Sequence, residues 1–374
     1  MNLSHAKAQR RKVLKSLVLC AFAPLREIFA ASETADGFAI PQSGAVFQFP
    51  RDHGSHEQFR TEWWYLTGHL DAAGGRRFGF QVTFFRQAGR DASGAVTHLH
   101  LAHAALLDAK SGRFLHEEKL HRAGFDAAAS QTTLDVRQTN WSLKLDESTN
   151  HLQLHATVRA DAALTLELDA VKPLVVFGKD GVSRKGASES AASHYLTFPR
   201  LKASGVVKLG AEELRVSGEA WMDHEFSSSQ LDEGQAGWDW AALQLHDGRE
   251  VMVYRMRRDD GSTDAASALT WIGKDGALKT EAFTWSALES WKSPRSGAVY
   301  PNRVRIACDS GVFELRPVVA DQEQGGELTG LPYWEGACDV LDANGAVIGR
   351  AFLELAGYAG DLRRYLRGAG NQER

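Results

Sequence analysis

Tryptophans and acidic residues occur side by side in four short strips of this 374-residue sequence. The strips are Glu62-Trp63-Trp64-Tyr65, Trp221-Met222-Asp223-His224-Glu225-Phe226, Trp238-Asp239-Trp240 and Tyr333-Trp334-Glu335-Gly336. A carboxyl group enclosed by indole rings loses its hydration, which favours its protonated form and suits it to general acid catalysis. Together the strips indicate an apolar site with buried acids. The alternative is structural: the rings fill a core and the acids accept hydrogen bonds from indole N–H groups.

Two of these strips supply candidates for proton transfer. If residues 221–226 are extended, Trp221, Asp223 and Glu225 share one face of the strand, and His224 points to the other. Asp239 lies between two tryptophans in a second expected strand and would be desolvated if it faces inward. We predict Asp223 or Asp239 as the proton donor, with His224 orienting it.

Three histidines suggest a different chemistry. His98 and His100 share one face of a predicted strand, and His103 lies on its apolar face. Two histidines two positions apart can bind zinc, but the sequence has no HExxH motif and no cysteine pair with metal-ligand spacing. A metal-dependent hydrolase that uses Asp223, His224 and one of these histidines is therefore the weakest hypothesis. Nucleophile-elbow, P-loop and dinucleotide-binding patterns are also missing, so we predict no cofactor and no metal.

The elements that must position these side chains show a period of two. Phe78, Phe80, Val82 and Phe84 alternate with smaller or polar residues, and similar alternation recurs over residues 152–159 and 164–169. Such segments are typical of antiparallel strands with one wet face. Turn signals such as Asn344-Gly345 separate them. The pattern predicts an all-β fold of barrels or sandwiches, with a short terminal helix over Gly360 to Arg367.

The N-terminus resembles an export signal. Arg10-Arg11-Lys12-Val13-Leu14-Lys15 precedes an uncharged run from Ser16 to Leu25, which is the order of a twin-arginine leader. The run is too short to cross a bilayer. We predict that residues 1–31 are a cleaved signal peptide and that the protein is periplasmic or secreted, and not membrane-spanning.

Charge and length limit the function classes. Without residues 1–31 the chain keeps 37 of its 43 Lys and Arg and 46 of its 47 Asp and Glu, a net charge near −9. This balance argues against nucleic acid or an anionic membrane as a partner. The remaining length suits two domains, which we place at residues 40–226 and 227–367. The two cysteines outside the predicted signal peptide, Cys308 and Cys338, either form a disulfide or are two buried thiols.

Gly218 and Ala220 precede Trp221, and Gly237 precedes Trp238. With these residues included, the order of the four strips resembles the sequence pattern of the carotenoid 1,2-hydratase/AttH-like lipocalin family. The resemblance extends from about Phe47 to Tyr358. It implies two packed lipocalin-like antiparallel β-barrels, the first ending near Glu225 and the second beginning around Ser227. The strips are expected to meet between the barrels.

The resemblance also implies a chemistry. The carotenoid hydratases add water to an isolated terminal alkene without a cofactor, which requires an acid to protonate carbon and aromatic faces to stabilise the cation. Asp223, Asp239, His224, Trp221 and Tyr254 match that requirement. The sequence Tyr254-Arg255-Met256 departs from the hydratases, in which an acid is expected near the tyrosine.

The sequence favours two functional hypotheses. The first is a cofactor-independent hydratase or isomerase that protonates an alkene of an isoprenoid or lipid-like molecule. The second is a non-catalytic periplasmic carrier of a hydrophobic ligand that works alongside an exporter. The predicted catalytic residues are Asp223, His224, Asp239 and Tyr254. The predicted ligand-binding residues are Trp63, Trp64, Trp221, Trp238, Trp240 and Trp334.

Overall fold

A computed structural model describes residues 33–328 and 330–363 of the chain. The predicted signal peptide lies outside the described residues, as do residues 364–367 of the predicted terminal helix; Leu362 and Arg363 are helical. Two 3-10 turns, at Arg51–His53 and Ala73–Gly75, are the other helical elements of the described part. Within those residues we find no helix with the length and apolar character that a membrane span requires.

The first sheet contains thirteen antiparallel strands. They are β1 (Thr61–Ala72), β2 (Arg76–Arg90), β3 (Val96–Asp108), β4 (Arg113–Arg122), β5 (Ala127–Ala129), β6 (Asp135–Gln138), β7 (Trp141–Asp146), β8 (His151–Val158), β9 (Ala162–Ala170), β10 (Val175–Val176), β11 (Ser183–Arg184), β12 (Ala192–Leu209) and β13 (Glu212–Ser229). Along the main path of the sheet the strand order is β4-β3-β2-β1-β13-β12-β9-β8-β7-β6-β5. The long strands β12 and β13 are therefore central.

The second sheet contains ten antiparallel strands. They are β14 (Gln235–Leu245), β15 (Glu250–Arg258), β16 (Ala268–Ile272), β17 (Leu278–Glu281), β18 (Phe283–Lys292), β19 (Val299–Cys308), β20 (Gly311–Pro317), β21 (Glu323–Gln324), β22 (Tyr333–Leu341) and β23 (Val347–Leu355). Its main path runs β17-β16-β15-β14-β23-β22-β20-β19-β18. The two sheets curl into a barrel and a half-barrel, which confirms the predicted all-β class. The division into domains 40–226 and 227–367 stays a prediction.

Alternation along the strands explains where the cores lie. Phe78, Phe80 and Phe84 of β2 point into the first curled sheet and are fully buried there. We predicted that the other face of this strand is wet, but Gln81 and Thr83 are buried as well. The reason is that the second sheet packs against this face, which no alternation pattern in β2 can reveal. On β8 and β9 the polar face does remain exposed.

The two sheets pack closely over β1, β2, β22 and β23. A Cβ atom on Gly79 would lie 2.7 Å from the Cβ of Ala337, so the absence of a side chain at residue 79 permits this close approach. Arg77 Nη1 lies 2.6 Å from Asp339 Oδ1 across the same junction. The side chains that line the junction form an apolar cluster with members from both sheets. This shared layer holds the elements that build the site described next.

The two cysteines within the described residues, Cys308 and Cys338, are free. Cys308, at the end of β19, is partly buried, whereas Cys338 in β22 is buried. They pair in register with other residues, Cys308 with Gly311 and Cys338 with Ala351. Of the two alternatives left open by the sequence, the structure has the free thiols.

Candidate active site

A cavity of about 720 Å³ lies between the two sheets. Strands of both sheets contribute to its wall, and most of the lining is apolar or aromatic. Its aromatic residues are Trp63, Tyr65, Phe85, Tyr195, Trp238, Trp240, Tyr254 and Tyr333. The charged groups in the wall are Lys185, Asp223, Glu225, Glu354 and Asp361. This volume and this lining are typical of a site for a small organic ligand.

Among these acids, Asp223 of β13 has its carboxyl group held by several hydrogen-bond donors. It is 3% exposed, and three donors point at its carboxyl group. Trp221 Nε1 lies 2.7 Å and Thr197 Oγ1 2.5 Å from Oδ1, and the Tyr195 hydroxyl lies 2.7 Å from Oδ2. A carboxylate offers about four acceptor positions, so one position on Oδ2 is left for a proton.

Burial is the main influence on the acidity of Asp223. Desolvation raises the pKa of this carboxyl group, the three hydrogen bonds lower it in part, and the outcome is a pKa of about 7. The negative charge of Glu225 adds to the upward shift. Near neutral pH Asp223 is therefore divided between its protonated and ionised forms, which is the condition that suits a general acid best.

A fixed chain of hydrogen bonds orients the Tyr195 hydroxyl towards Asp223. The indole N–H of Trp240 can only donate, and it donates to the Tyr195 oxygen over 2.9 Å. The hydroxyl proton of Tyr195 is then free to point at Asp223 Oδ2. Trp221 packs edge to face on Trp240, with ring centroids 6.1 Å apart. These contacts hold the acid in place without using its last acceptor position.

Lys185 brings a cation to the same end of the cavity. Its Nζ lies 3.1 Å from Glu225 Oε1 and within 4.6 Å of the ring centroids of Tyr195 and Tyr254. The hydroxyl of Tyr254 donates to the carbonyl of Arg184 over 3.0 Å. A partly desolvated ammonium gains from both the carboxylate and the aromatic faces. The charge of Lys185 is thus already compensated by the protein.

Two further acids face each other across β22 and β23. Glu335 and Glu354 are direct cross-strand partners, and Glu335 is 1% exposed. The Tyr65 hydroxyl donates to Glu335 Oε1 over 2.6 Å. Burial, together with the neighbouring Glu354, raises the pKa of Glu335 well above its usual value. Burial also raises the pKa of Glu354 to about 8, although a hydrogen bond from Trp238 opposes the shift.

These raised pKa values predict that stability falls as pH rises from mildly acidic conditions to about pH 8. The folded state keeps protons on Glu335 and Glu354 that the unfolded chain has lost, so the free energy of unfolding decreases as pH rises through the folded pKa values. Between about pH 4.5 and 8, the interval from the usual pKa of a glutamate to the raised pKa of Glu354, we expect Glu354 to contribute a loss of up to about 1.4 kcal/mol per pH unit, and Glu335 a loss in the same direction. Urea unfolding across this range measures it. Glu354→Gln should flatten the curve, and an unchanged slope in that variant would contradict the assignment.

Asp239, the other predicted acid, lies outside the cavity lining. Its carboxyl group is completely buried and forms ion pairs with Arg255 and Arg257, at 2.7 and 2.6 Å. The Tyr358 hydroxyl donates a third contact of 2.9 Å. Two guanidinium groups stabilise the ionised carboxylate, whereas a proton donor must hold a proton. The geometry therefore assigns Asp239 a structural role, as the carboxylate that two arginines share.

His224 points to the face of β13 opposite Asp223, so the two side chains do not meet. Its Nε2 lies 2.9 Å from Glu62 Oε1, and its ring stacks on Trp64. Because adjacent residues of a strand face opposite ways, Asp223 and His224 cannot share a metal ion. The structure therefore does not bring together the ligands of the hydrolase hypothesis.

Among the described residues, His56, Glu62 and His224 have ligand atoms within 4.8 Å of one another. Glu62 Oε1 already contacts both rings, and Oε2 accepts from Arg86 Nε and Ser55 Oγ. Burial raises the pKa of Glu62, but these hydrogen bonds and the charge of Arg86 outweigh it and hold the pKa well below its usual value. The donor set fits a buried carboxylate neutralised by its neighbours better than a metal site.

The histidines of β3 lie in two different places. His103 lines the cavity, with Nδ1 2.8 Å from the Tyr333 hydroxyl and Nε2 3.3 Å from Glu118 Oε1. Burial lowers the pKa of His103 to about 3, so its ring is neutral. His98 and His100 point to the other face of the strand, towards Arg86. His103 therefore contributes a neutral hydrogen-bonding group to the wall.

The six predicted ligand-binding tryptophans separate into three groups. Trp63, Trp238 and Trp240 line the cavity. Trp221 lies directly behind the lining and donates to Asp223. Trp64 belongs to the core of the first sheet, and Trp334 to that of the second.

This separation predicts opposite effects of two matched substitutions. Trp240→Phe should weaken binding of an uncharged apolar dye such as Nile red by about tenfold, or 1.4 kcal/mol, because it removes lining area. Trp334→Phe should leave dye binding unchanged and lower the free energy of unfolding by about 1–3 kcal/mol, because it removes core volume and the N–H bond to the Ala320 carbonyl. Fluorescence titration and urea unfolding give the two quantities. Equal effects of both variants on dye binding would contradict the division.

Several site residues were not predicted from the sequence. Glu354 is an acid between Leu353 and Leu355 in a buried strand, and that interruption of an apolar run was a usable signal. Lys185 lies in a segment rich in Gly and Ser, residues 178–193, whose composition marks no single side chain as functional. Tyr65 and Tyr195 carry no pattern that separates them from core tyrosines. Of the predicted catalytic residues, the structure brings Asp223 and Tyr254 to the cavity.

Two curled antiparallel sheets with an apolar, acid-bearing cavity between them define an all-β, lipocalin-like fold. The model of the AttH-like family matches residues 40–358, and the chain belongs to this family. The crystal structure of an AttH-type protein from Nitrosomonas europaea is similar, with 34% identity and a TM-score of 0.78 over 86% of this chain and 100% of that one. A comparison with curated protein sequences gave no match.

Kievitone hydratase from Nectria haematococca has the same fold at lower similarity. The identity is 14% and the TM-score 0.65, over 88% of this chain and 97% of that one. At this identity the likeness concerns the fold alone.

Proposed function

We propose that the protein is a cofactor-independent hydratase or isomerase that protonates a carbon–carbon double bond of an apolar small molecule. The observation that carries this proposal is Asp223: a buried acid with one open acceptor position, divided between its two protonation states near neutral pH, in an aromatic cavity. The AttH-like fold, which kievitone hydratase shares, supports the reaction class. Carotenoid hydration is not part of the proposal, because Met256 lines the wall where an acid is expected near Tyr254.

The reaction follows from the groups around Asp223. The π electrons of the alkene take the Asp223 proton and form a C–H bond, which leaves a cation on the neighbouring carbon. The faces of Trp240, Trp238 and Tyr254 stabilise that cation. A water molecule then adds its lone pair to the cation and loses a proton to the Asp223 carboxylate. Loss of a carbon-bound proton to the same carboxylate would instead give the isomer.

Tyr195, Thr197 and Trp221 have positioning roles in this scheme, since they hold the carboxyl group by hydrogen bonds. Their donors also lower the cost of the ionised carboxylate that forms when the proton leaves. His224 and Asp239 take no part, because neither lines the cavity.

The test is isotope incorporation from heavy water. The purified protein is incubated in D2O with a panel of isoprenoid and aryl alkenes, and the recovered compounds are analysed by mass spectrometry and NMR. Because Asp223 exchanges its proton with solvent, turnover should place one deuterium on the carbon that is protonated. A compound that binds and is recovered without deuterium across the panel would overturn the enzyme proposal and support the carrier.

We also retain the proposal that the protein works in the periplasm after export by the twin-arginine route. It rests on the sequence of residues 10–25. A fusion of residues 1–35 to a reporter that is active only after folded export would test it, with Arg10→Lys plus Arg11→Lys as the control. Unchanged export of the double variant would contradict the route. An exporter as partner remains a proposal of the carrier hypothesis.

A further inference from the structure

The cavity has a closed end and an open rim of different chemistry. At the closed end Lys185, Asp223, Glu225 and Trp240 are each between 3% and 5% exposed. At the rim, three leucines both line the cavity and reach solvent: Leu99, Leu120 and Leu328 are 43%, 45% and 52% exposed. Lys185, Asp223 and Glu225 are therefore deep, and the surface opening is largely apolar, although the exposed Asp361 also belongs to the lining.

The closed end offers no free charge to an ionic ligand. Lys185 is the only lysine or arginine among the described residues of the lining, and it is already paired with Glu225 and covered by two tyrosine rings. An anion would meet three acids with no unpaired cation to balance it. A cation would give up its water to meet Glu354, which holds its proton near neutral pH, and Asp223, which is only partly ionised there. Either ion would pay for desolvation without a charged partner in return.

An uncharged oxygen is matched better. A hydroxyl or carbonyl oxygen can accept a hydrogen bond from a protonated carboxyl group, and a hydroxyl can also donate one. The leucines of the rim suit the opposite, apolar end of the same molecule.

We propose that the ligand of this cavity is an amphiphile with an uncharged, oxygen-bearing polar end, which enters polar end first and leaves its apolar tail between Leu99, Leu120 and Leu328. The proposal concerns the same cavity as the proposed function and rests on it for the location of the site. It predicts head-group selection that does not depend on turnover. Binding experiments therefore test it even if no reaction is found.

Three probes with one chain length test the head group. Dodecanol, dodecanoate and dodecylammonium are each used to displace Nile red from the full-length protein at pH 6.5, below their aggregation concentrations. We expect dodecanol to compete at least tenfold better than either ion. Equal or better competition by dodecanoate or by dodecylammonium would overturn the proposal.

A rim substitution tests the orientation. Leu120→Glu places a charge beside the proposed tail position, so it should weaken dodecanol about tenfold and weaken hexanol, whose chain is half as long, less. Leu278→Glu is the matched control, because Leu278 is 43% exposed and lies outside the cavity lining. Equal weakening of both alcohols, or none for dodecanol, would overturn the polar-end-first orientation. If binding behaves as expected but no deuterium is incorporated, the ligand class stands and the catalytic proposal alone fails.

Discussion

Replacement of Asp223 by asparagine is expected to lower turnover of a confirmed alkene substrate by about 10²–10⁴-fold, the usual contribution of a positioned general acid. Asparagine keeps the shape of the side chain and can still accept from Thr197 and Trp221, but its amide cannot give up a proton to carbon. The measurement is kcat and KM from product formation, with circular dichroism and thermal unfolding to establish that the fold is retained.

The pH profile separates an acid from a merely structural residue. With a pKa of about 7 for Asp223, turnover by the native protein should be high in mildly acidic buffer and fall as pH rises through neutrality. Glu213→Gln is the matched control, because Glu213 lies on the same strand and is exposed. Native rates in Asp223→Asn would remove the acid from the proposal. If Asp223→Asn lost no more of its rate than Glu213→Gln, Asp223 would likewise be excluded as the acid.

Replacement of Asp239 by asparagine is expected to lower the free energy of unfolding by about 3–5 kcal/mol. The substitution leaves Arg255 and the buried Arg257 without their common carboxylate, and the cost of an uncompensated buried charge exceeds that of losing a hydrogen bond. Urea unfolding of both proteins measures the difference.

Asp247→Asn provides the comparison for this prediction. Asp247 pairs with Arg249 at the surface, where both side chains are nearly half exposed, so its loss should cost no more than about 1 kcal/mol. If Asp239→Asn and Asp247→Asn lowered the free energy of unfolding by similar amounts, the structural role assigned to the ion pairs of Asp239 would be contradicted. A stable Asp239→Asn protein with lost turnover would return Asp239 to the list of catalytic candidates.

Much of the architecture follows from local sequence. Period-two alternation and turn residues at short intervals leave few options besides antiparallel strands, because side chains on a strand alternate between faces. The same rule places Asp223 and Glu225 on one face of β13 and His224 on the other, and the structure has this arrangement. The order of the four strips identified the family, which the match over residues 40–358 confirms.

The roles of individual acids depended on contacts with side chains of other strands. Asp223 and Asp239 have similar tryptophan neighbours in sequence, but Asp223 faces the cavity and Asp239 faces two arginines of β15 and a tyrosine beyond β23. The alternation of side chains along a strand indicates which residues share a face, but it does not indicate what packs against that face. The buried polar face of β2 has the same explanation.

The sequence by itself therefore determined the strands, which residues share a face of each strand, and the family, because these depend on neighbours a few residues apart. Only the tertiary structure decided which carboxyl groups are desolvated, which are neutralised, and where Lys185 and Glu354 meet them. Acidity and binding depend on the side chains within a few ångströms, and in this fold several of them come from neighbouring strands: Tyr195 and Thr197 of β12 contact Asp223, and Arg255 and Arg257 of β15 contact Asp239.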